Sequence, residues 1–163
     1  MEDTKTAYLQ IAEYYRKKVN PITVLITGSS GKTTVKEMMS ATTSVKFRTH
    51  KTKLNHNNEI GLCQTLLSMP EDTQVLIAEG GMRGLGEIEL LSKHTQPDRA
   101  VITNVGTAHI GRLGSVENIA KAKCEIVKYL KKDGVLIAPD SPLIKQFNTF
   151  AGKNSYVNFD DVK

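Results

Sequence analysis

A glycine-rich stretch between an apolar run and a helix-like segment constrains the fold of this chain more than any other feature. Residues 27–34 read Thr-Gly-Ser-Ser-Gly-Lys-Thr-Thr, and they follow the β-branched run at residues 22–26. A strand, a glycine turn and a helix in this order are typical of a phosphate-binding loop. In such a loop, backbone N–H groups and the helix N-terminus face an anion. The full pattern G-x-x-x-x-G-K-[ST] is not met, because its first glycine would fall on Ile26.

Each polar side chain of this loop has an expected role. Lys32 can reach the outer phosphates of a nucleotide, and the Thr33 hydroxyl can contact a magnesium ion. The alternative is an ordinary glycine turn that happens to contain a lysine. The residues expected to contact the phosphates are Gly28, Ser29, Ser30, Gly31, Lys32, Thr33 and Thr34.

Composition limits the other function classes. The chain has 163 residues, the size of about one domain, and a net charge of +5 without a long basic run. Aromatic residues make up 6% of the chain, which leaves no obvious stacking platform for single-stranded nucleic acid. Two isolated cysteines and the lack of a signal-like or membrane-length apolar run favour a soluble, cytoplasmic protein. We expect no nucleic-acid or membrane partner, and a monomer.

Strands and helices are predicted to alternate along the whole chain. The predicted strands cover residues 22–26, 45–49, 74–78, 99–103, 135–138 and 156–159. The predicted helices cover residues 4–18, 35–43, 59–69, a short stretch that ends near 94, the longest helix at 115–132, and 141–150. Because the strands are apolar runs rather than two-faced ones, the pattern predicts an α/β fold. This fold is a doubly wound, mostly parallel sheet of the P-loop NTPase type, with helices on both faces.

Polar residues at strand ends form the candidate site, because ligands of such sheets bind at the carboxyl ends of the strands. Glu79 closes one strand and could hold magnesium, although a strand-end carboxylate can also be a solvated charge. Asn104 and His109 follow another strand. His109 is interpreted as a metal ligand because it shares an edge with Thr33 and Glu79, whereas a lone histidine is more often structural.

Lys123 lies in the apolar stripe of the longest predicted helix. Its spacing from Ile119, Ile126 and Leu130 places all four on one face. A different stripe, predicted to face water, contains Lys121, Glu125, Lys128 and Lys132. An inward lysine has a lowered pKa and a reactive neutral amine. The alternative is a lysine whose ammonium reaches out past the stripe.

Two asparagines precede the helix predicted at residues 59–69. Asn58 can cap that helix, and Asn57 and Asn58 can equally belong to a ligand-facing loop.

Three ordered motifs resemble the central ATP-binding domain of the Mur ligase family. They lie at residues 27–34, at residues 57–61 (Asn-Asn-Glu-Ile-Gly) and at residues 102–109 (Ile-Thr-Asn-Val-Gly-Thr-Ala-His). Together with residues 120–125, the resemblance spans roughly residues 20–140. Residues 57–61 and 120–125 are most similar to the member that adds D-alanyl-D-alanine.

The resemblance implies an ATP-dependent, amide-forming ligase of peptidoglycan precursor synthesis, and so a role in cell-wall biogenesis, cell shape and cell division. ATP would phosphorylate the terminal carboxylate of a UDP-N-acetylmuramoyl peptide, and D-alanyl-D-alanine would attack the acyl phosphate. The implied ligands are ATP and Mg²⁺. The implied catalytic residues are Lys32, Glu79, His109 and Lys123, and the implied metal-binding residues are Thr33, Glu79, His109 and Lys123. The family lysine at the position of Lys123 is carbamylated. Asn57 and Asn58 match an amide motif near the transferred phosphate.

The chain also departs from the family pattern. Residues 79–82 read Glu-Gly-Gly-Met where Glu-Met-Gly is usual, and Gly111 stands where an acidic residue is common. Residues 1–20 are interpreted as a linker helix and residues 21–163 as the ATP-binding domain. We expect the family's UDP-sugar domain and C-terminal domain to be absent, so that this chain alone does not complete ligation. The alternative function is a nucleotide- or phosphate-binding module without turnover.

Overall fold

The computed structural model describes residues 3–108 and 110–158. The strands are β1 (Ile22–Thr27), β2 (Thr49–Lys51), β3 (Val75–Glu79), β4 (Arg99–Ile102), β5 (Val135–Pro139) and β6 (Lys153–Val157). The α-helices are α1 (Thr4–Val19), α2 (Lys32–Ser44), α3 (Glu59–Leu67), α4 (Glu87–Thr95), α5 (Ile110–Leu113), α6 (Val116–Cys124) and α7 (Pro142–Phe147). A 3₁₀ turn, Glu125–Val127, follows α6 directly.

The strands form one parallel sheet, as the apolar runs predict. Within the described ranges the sheet has six strands in the order β2-β3-β1-β4-β5-β6. Strand β1 lies in the interior and pairs with β3 on one side and β4 on the other. The loop after β1 therefore lies beside the loops after β3 and β4, at what we call the carboxyl edge of the sheet.

Helices cover both faces of the sheet, but unequally. One core cluster contains Leu25, Leu76 and Ile102 from the strands together with apolar side chains of α1, α3, α4, α6 and α7. On the other face, Val24 and Ile77 belong to a smaller cluster against which α2 packs. Successive residues of one buried strand thus serve opposite faces, and the predicted doubly wound α/β fold is confirmed.

The first helix belongs to the packed structure. Asp3 caps its N-terminus by accepting hydrogen bonds from the N–H groups of Lys5 and Thr6, as an N-cap carboxylate does. Leu9 and Ala12 are buried in the larger core cluster, which also includes residues of α3 and α4.

Two predicted elements differ from the observed ones. The strand predicted at residues 45–49 is wrong in position, because α2 runs to Ser44 and the Phe47 N–H turns back to the Thr43 carbonyl at 2.9 Å. Strand β2 therefore starts only at Thr49. The helix predicted at residues 115–132 ends at Cys124, so that α1 is longer than α6.

Shorter differences occur near the C-terminal end. Helix α5 lies within the segment predicted as a loop at residues 105–114. Helix α7 ends at Phe147 rather than near residue 150, and β6 begins at Lys153 rather than Tyr156. The last residue of that predicted strand, Phe159, lies outside the described residues.

Glu125 explains why the helix of residues 116–124 gives way to a 3₁₀ turn. We predicted that Glu125 faces water; this is wrong, since the residue is 9% exposed. Its carboxylate accepts hydrogen bonds from the N–H of Gly86 at 2.8 and 2.9 Å and from the N–H of Glu89 at 3.3 Å. It thereby caps α4, whose own N-cap residue has no side chain.

Two further observations concern the protein's environment. Cys63 and Cys124 are both free and buried. In the part of the chain that the structure describes, no helix is long and apolar enough to cross a membrane.

Candidate functional site

The turn between β1 and α2 has the backbone of an anion-binding loop. Gly28 has φ +153° and Gly31 has φ +75°, values that L side chains rarely adopt. A Cβ atom on Gly28 would lie 1.8 Å from the Thr103 hydroxyl oxygen, so only glycine fits there. Gly31 is the N-cap of α2 and makes no side-chain cap, which leaves the N–H groups of the first helical turn facing outward. The positive end of the helix dipole adds to this field.

Asn104 ties this loop to the end of β4. Its side-chain oxygen accepts hydrogen bonds from the Ser29 N–H at 2.9 Å and the Ser30 N–H at 3.0 Å. Its amide nitrogen donates to the Ser30 hydroxyl at 2.6 Å, and the Thr103 hydroxyl donates to the Ser30 carbonyl, also at 2.6 Å. The sequence placed Asn104 at this edge but did not predict that it orders the loop.

Lys32 is folded back on the loop that precedes it. Its ammonium donates to the Gly28 carbonyl at 2.8 Å. Burial lowers the pKa of Lys32, and the charge of Glu79 opposes that shift. Thr33 and Thr34 are exposed at the start of α2.

Glu79 is buried at the end of β3, with 3% of its surface exposed, so it is not the solvated strand-end charge that we considered. One carboxylate oxygen accepts from the Thr33 hydroxyl at 3.0 Å, and the other accepts from the Asn57 amide at 3.1 Å. The Glu79 N–H donates to the Thr52 hydroxyl at 3.1 Å. The Lys36 ammonium lies 3.4 Å from the oxygen that Thr33 contacts.

The two asparagines have different partners. Asn58 caps α3, because its side-chain oxygen accepts from the Gly61 N–H at 2.8 Å. Asn57 contacts Glu79 instead and packs on Gly81, where an added Cβ would lie 2.7 Å from the Asn57 amide carbon. The glycine after the strand-end glutamate therefore leaves room for the asparagine that reaches its carboxylate.

Lys123 points inward, as its position in the apolar stripe predicts. It is 1% exposed, and burial lowers its pKa to about 8, with a smaller contribution from the positive charge of Lys32. Among the described residues its ammonium has no hydrogen-bond partner. The positive charges of Lys123 and Lys32 are thus close enough to repel each other. His109, predicted to join the same group, lies outside the described residues.

An open cavity of about 310 Å³ lies beside the loop. It is lined by Gly28, Lys32, Asn55, Asn57, Asn58, Gly81, Met82, Arg83 and Glu87. Loop glycines, a lysine, amides and an exposed arginine form a polar surface of a size suited to an anionic ligand.

The donor set at Thr33 and Glu79 fits magnesium, which prefers hydroxyl, carboxylate and water oxygens. The two groups already lie 3.0 Å apart and face the N-terminus of α2. Within residues 3–108 and 110–158, no group of three or more histidine, cysteine, aspartate or glutamate side chains is arranged so that it could hold a metal ion. The described side chains therefore offer part of an oxygen shell, to which phosphate and water oxygens would be added.

Sequence reasoning missed Lys36, Thr52 and the tie made by Asn104. One signal for Lys36 was available, since it lies one helical turn after Lys32 and so on the same side of α2. Thr52 and Asn104 carry no such signal, because their roles depend on how separate loops meet.

Comparison with known proteins agrees with this geometry. Residues 26–160 match the family model described as the Mur ligase middle domain. A UDP-N-acetylmuramoyl-tripeptide–D-alanyl-D-alanine ligase of Bacillus subtilis is 49% identical over 146 residues, which cover 89% of this chain and 32% of that protein. The enzyme of the same name from Synechocystis is 45% identical and is covered to 30%. The chain thus spans about a third of the length of these curated relatives.

Solved structures give the same result. MurF from Acinetobacter baumannii superposes with a TM-score of 0.88 at 35% identity, covering 93% of this chain and 34% of that one. MurF ligase from Thermotoga maritima, solved in complex with ADP, also gives a TM-score of 0.88, at 30% identity, covering 94% of this chain and 36% of that one.

Proposed function

Because this chain belongs to the Mur ligase middle-domain family, we propose that it is the ATP-binding core of a UDP-N-acetylmuramoyl-tripeptide–D-alanyl-D-alanine ligase. The whole ligation is proposed for a protein that contains this core, since the relatives of that name are about three times as long. Within the chain, residues 1–20 would form the linker helix and residues 21–163 the ATP-binding domain.

The observation that carries this proposal is the meeting of the phosphate loop with Glu79. The Thr33 hydroxyl, which follows Lys32 at the start of α2, contacts a buried carboxylate from the neighbouring strand. That pairing of a loop hydroxyl with a strand-end carboxylate is what a nucleotide with bound magnesium requires. An ordinary glycine turn would have no need of it.

In this proposal the loop holds the phosphates of ATP. The N–H groups of Gly31, Lys32, Thr33 and Thr34 would donate to phosphate oxygens, and Ser29 and Ser30 would shape the turn from which they project. Lys32 would leave the Gly28 carbonyl and move to the outer phosphates, because a phosphate oxygen carries more negative charge than a carbonyl. Asn57 and Asn58, which line the cavity, would lie near the transferred phosphate.

Thr33 and Glu79 would hold one magnesium ion, and His109 and Lys123 would help to hold a second. Bound magnesium would neutralise the negative charge that develops during phosphoryl transfer. Lys123 suits the modification that the family resemblance implies. Its neutral amine would form an N–C bond with carbon dioxide and lose a proton, which gives a carbamate with oxygen ligands.

The proposed reaction has two steps. A carboxylate oxygen of the UDP-N-acetylmuramoyl peptide attacks the γ-phosphorus of ATP, and the bond to the bridging oxygen breaks to release ADP. The amine of D-alanyl-D-alanine then attacks the acyl carbon, loses a proton and expels phosphate. Lys32 and the loop N–H groups would stabilise negative charge in the first step.

The remaining proposals concern the cellular role, location and assembly of the protein. We propose a role in cell-wall biogenesis, cell shape and cell division, and a cytoplasmic protein, since both cysteines are free and buried. We also propose that the chain is a monomer without nucleic-acid or membrane partners.

The test is calorimetric titration of the chain with ATP and magnesium. Wild type should bind, Lys32→Ala should lose binding, and Lys128→Ala, which removes an exposed lysine away from the loop, should bind as wild type does. If wild type is folded but shows no magnesium-dependent binding, the proposal is wrong. Binding without phosphoryl transfer, when the chain is assayed within a complete ligase, would favour the module without turnover.

A further inference from the structure

Lys36 is a buried charge that the proposed reaction does not use. It lies on α2, one turn beyond Lys32, and only 1% of its surface is exposed. Burying an ammonium is costly unless it is paired. A lysine in this position therefore needs a reason that packing alone does not provide.

Three acceptors from three different segments surround the Lys36 ammonium. It lies 3.4 Å from Glu79 at the end of β3, 3.4 Å from Glu37 on α2 and 3.4 Å from the Leu54 carbonyl in the loop before α3. All three distances are long for hydrogen bonds to an ammonium. The charge is shared among these acceptors instead of being held tightly by one.

Glu79 needs a positive charge nearby in the state without magnesium. Its other contacts, the Thr33 hydroxyl and the Asn57 amide, are neutral. Lys36 is the cation within salt-bridge distance of this buried carboxylate among the described residues. It approaches the same oxygen that Thr33 contacts, which is where a magnesium ion would bind.

We propose that Lys36 is a positioning residue that occupies the place of the magnesium charge at Glu79 until the metal arrives. This inference rests on the proposed function, because it needs a magnesium ion at Thr33 and Glu79. When the metal binds, the ammonium withdraws from Glu79 and keeps Glu37 and the Leu54 carbonyl as partners. The exchange keeps Glu79 paired in both states and fixed in the same orientation.

The test compares Lys36→Met with Lys51→Met in the 163-residue chain. Both variants remove a lysine that contacts Glu37, but only Lys36 also reaches Glu79. Thermal unfolding is followed in chelator and then during titration with magnesium at saturating ATP. In chelator, Lys36→Met should lower the unfolding midpoint more than Lys51→Met does, because Glu79 loses its cation. Its half-saturating magnesium concentration should be several-fold lower, because no ammonium has to be displaced.

The other outcomes contradict the proposal in distinguishable ways. A half-saturating concentration in Lys36→Met that equals or exceeds that of Lys51→Met overturns the exchange while the magnesium site stands. A wild type without any magnesium effect overturns the proposed metal site itself, and the exchange with it.

A double variant covers the case in which Lys36→Met does not fold. If the cause is the unpaired carboxylate, Lys36→Met combined with Glu79→Gln should fold, and that result supports the proposal. If the double variant also fails to fold, the ammonium is needed for a partner other than Glu79, such as the Leu54 carbonyl, and the proposal is wrong.

Discussion

The two edges of the sheet both bury charged side chains, but they supply them with different partners. At the amino edge, where β1, β4 and β5 begin, Arg16 donates to the Gln96 side chain at 3.0 Å. His94 lies 2.8 Å from the Glu13 carboxylate. Asp98 accepts from the Thr23 N–H and from the Lys131 ammonium, each at 2.8 Å. These contacts connect α1 and the strand starts to one another.

Two lysines at the carboxyl edge, Lys32 and Lys123, have fewer partners. Lys123 is as buried as Arg16, yet its ammonium has no hydrogen-bond partner in the described part of the chain. Lys32 donates to a backbone carbonyl of its own loop, and a cavity opens beside it. Burial of a charge does not by itself mark a functional site, and neither does one missing hydrogen bond, since the buried Arg16 Nε has no partner at the amino edge. What distinguishes the carboxyl edge is that charges with few partners lie beside an open cavity.

The largest effect should come from Gly28→Ala, which breaks the carboxyl edge at its tightest contact. The new Cβ would clash with the Thr103 hydroxyl and approach the Asn104 N–H, and the backbone has a φ of +153°. We expect a loss of roughly 2 kcal/mol or more in unfolding free energy and no calorimetric binding of ATP. Gly84→Ala is the matched control, because a Cβ there meets nothing within 4 Å. Equal behaviour of the two variants would contradict the described loop.

Arg16→Ala should have the next largest effect, on stability alone. The change removes the partner of Gln96 and leaves a cavity beneath α1, so we expect a loss of roughly 2 kcal/mol in urea unfolding. The affinity of the folded protein for ATP should not change. Lys17→Ala, an exposed neighbour on the same helix, should cost less than about 0.5 kcal/mol. Weaker ATP binding in Arg16→Ala would contradict the distinction between a structural amino edge and a ligand-binding carboxyl edge.

How much the sequence predicts depends on how local the cause is. Apolar runs and the glycine loop were enough for a doubly wound α/β sheet, and the strand ends were enough to bring the loop, Glu79 and Asn104 to one edge. The helix predicted to run past Cys124 was wrong, because the Glu125 carboxylate turns inward to a helix distant in sequence. No local pattern encodes that contact.

The same reasoning applies within the site. The stripe on α6 predicted the inward direction of Lys123, since periodicity acts within one helix. Neither the sharing of Lys36 between Glu79 and the Leu54 carbonyl nor the contact of Thr52 with Glu79 could be predicted, because the first joins three separate segments and the second joins two. Whether the loop, Glu79 and Lys123 bind ATP and magnesium stays a prediction.

Glu125→Ala should have a smaller effect and sharpens the comparison. Glu125 lies close to the carboxyl edge, but its carboxylate is fully used by the N–H groups of Gly86 and Glu89. If hydrogen-bond partners, rather than position near the carboxyl edge, decide whether a buried charge serves ligand binding, Glu125→Ala should cost about 1–2 kcal/mol of stability. It should leave ATP affinity unchanged. Burial raises the pKa of Glu125, so Glu125→Gln, which keeps an acceptor without the buried charge, should retain most of the stability. A strong effect of Glu125→Gln on ATP binding would show that position near the carboxyl edge matters for ligand binding.

The last effect, in Lys123→Met, is a change in how stability depends on pH, and it should be small near pH 7. Burial lowers the pKa of Lys123 from 10.5 to about 8 in the folded chain. Between these two values the unfolded chain holds a proton that the folded chain has lost, so stability rises with pH. The slope from this residue should reach at most about 1.4 kcal/mol per pH unit. Lys123→Met should lack this rise, whereas Lys121→Met, which removes an exposed lysine from the same helix, should keep it.

The measurement is urea unfolding from pH 7 to 10 in buffer free of carbon dioxide, so that the amine stays unmodified. Burial raises the pKa of Cys63 to about 11 and that of Cys124 to about 12. Both thiols therefore reduce stability as the pH rises above 9, which opposes the lysine effect. Because wild type and Lys123→Met share both thiols, their difference isolates Lys123. Parallel curves for the two proteins would mean that the buried ammonium has a partner after all, and that the carboxyl edge resembles the amino edge.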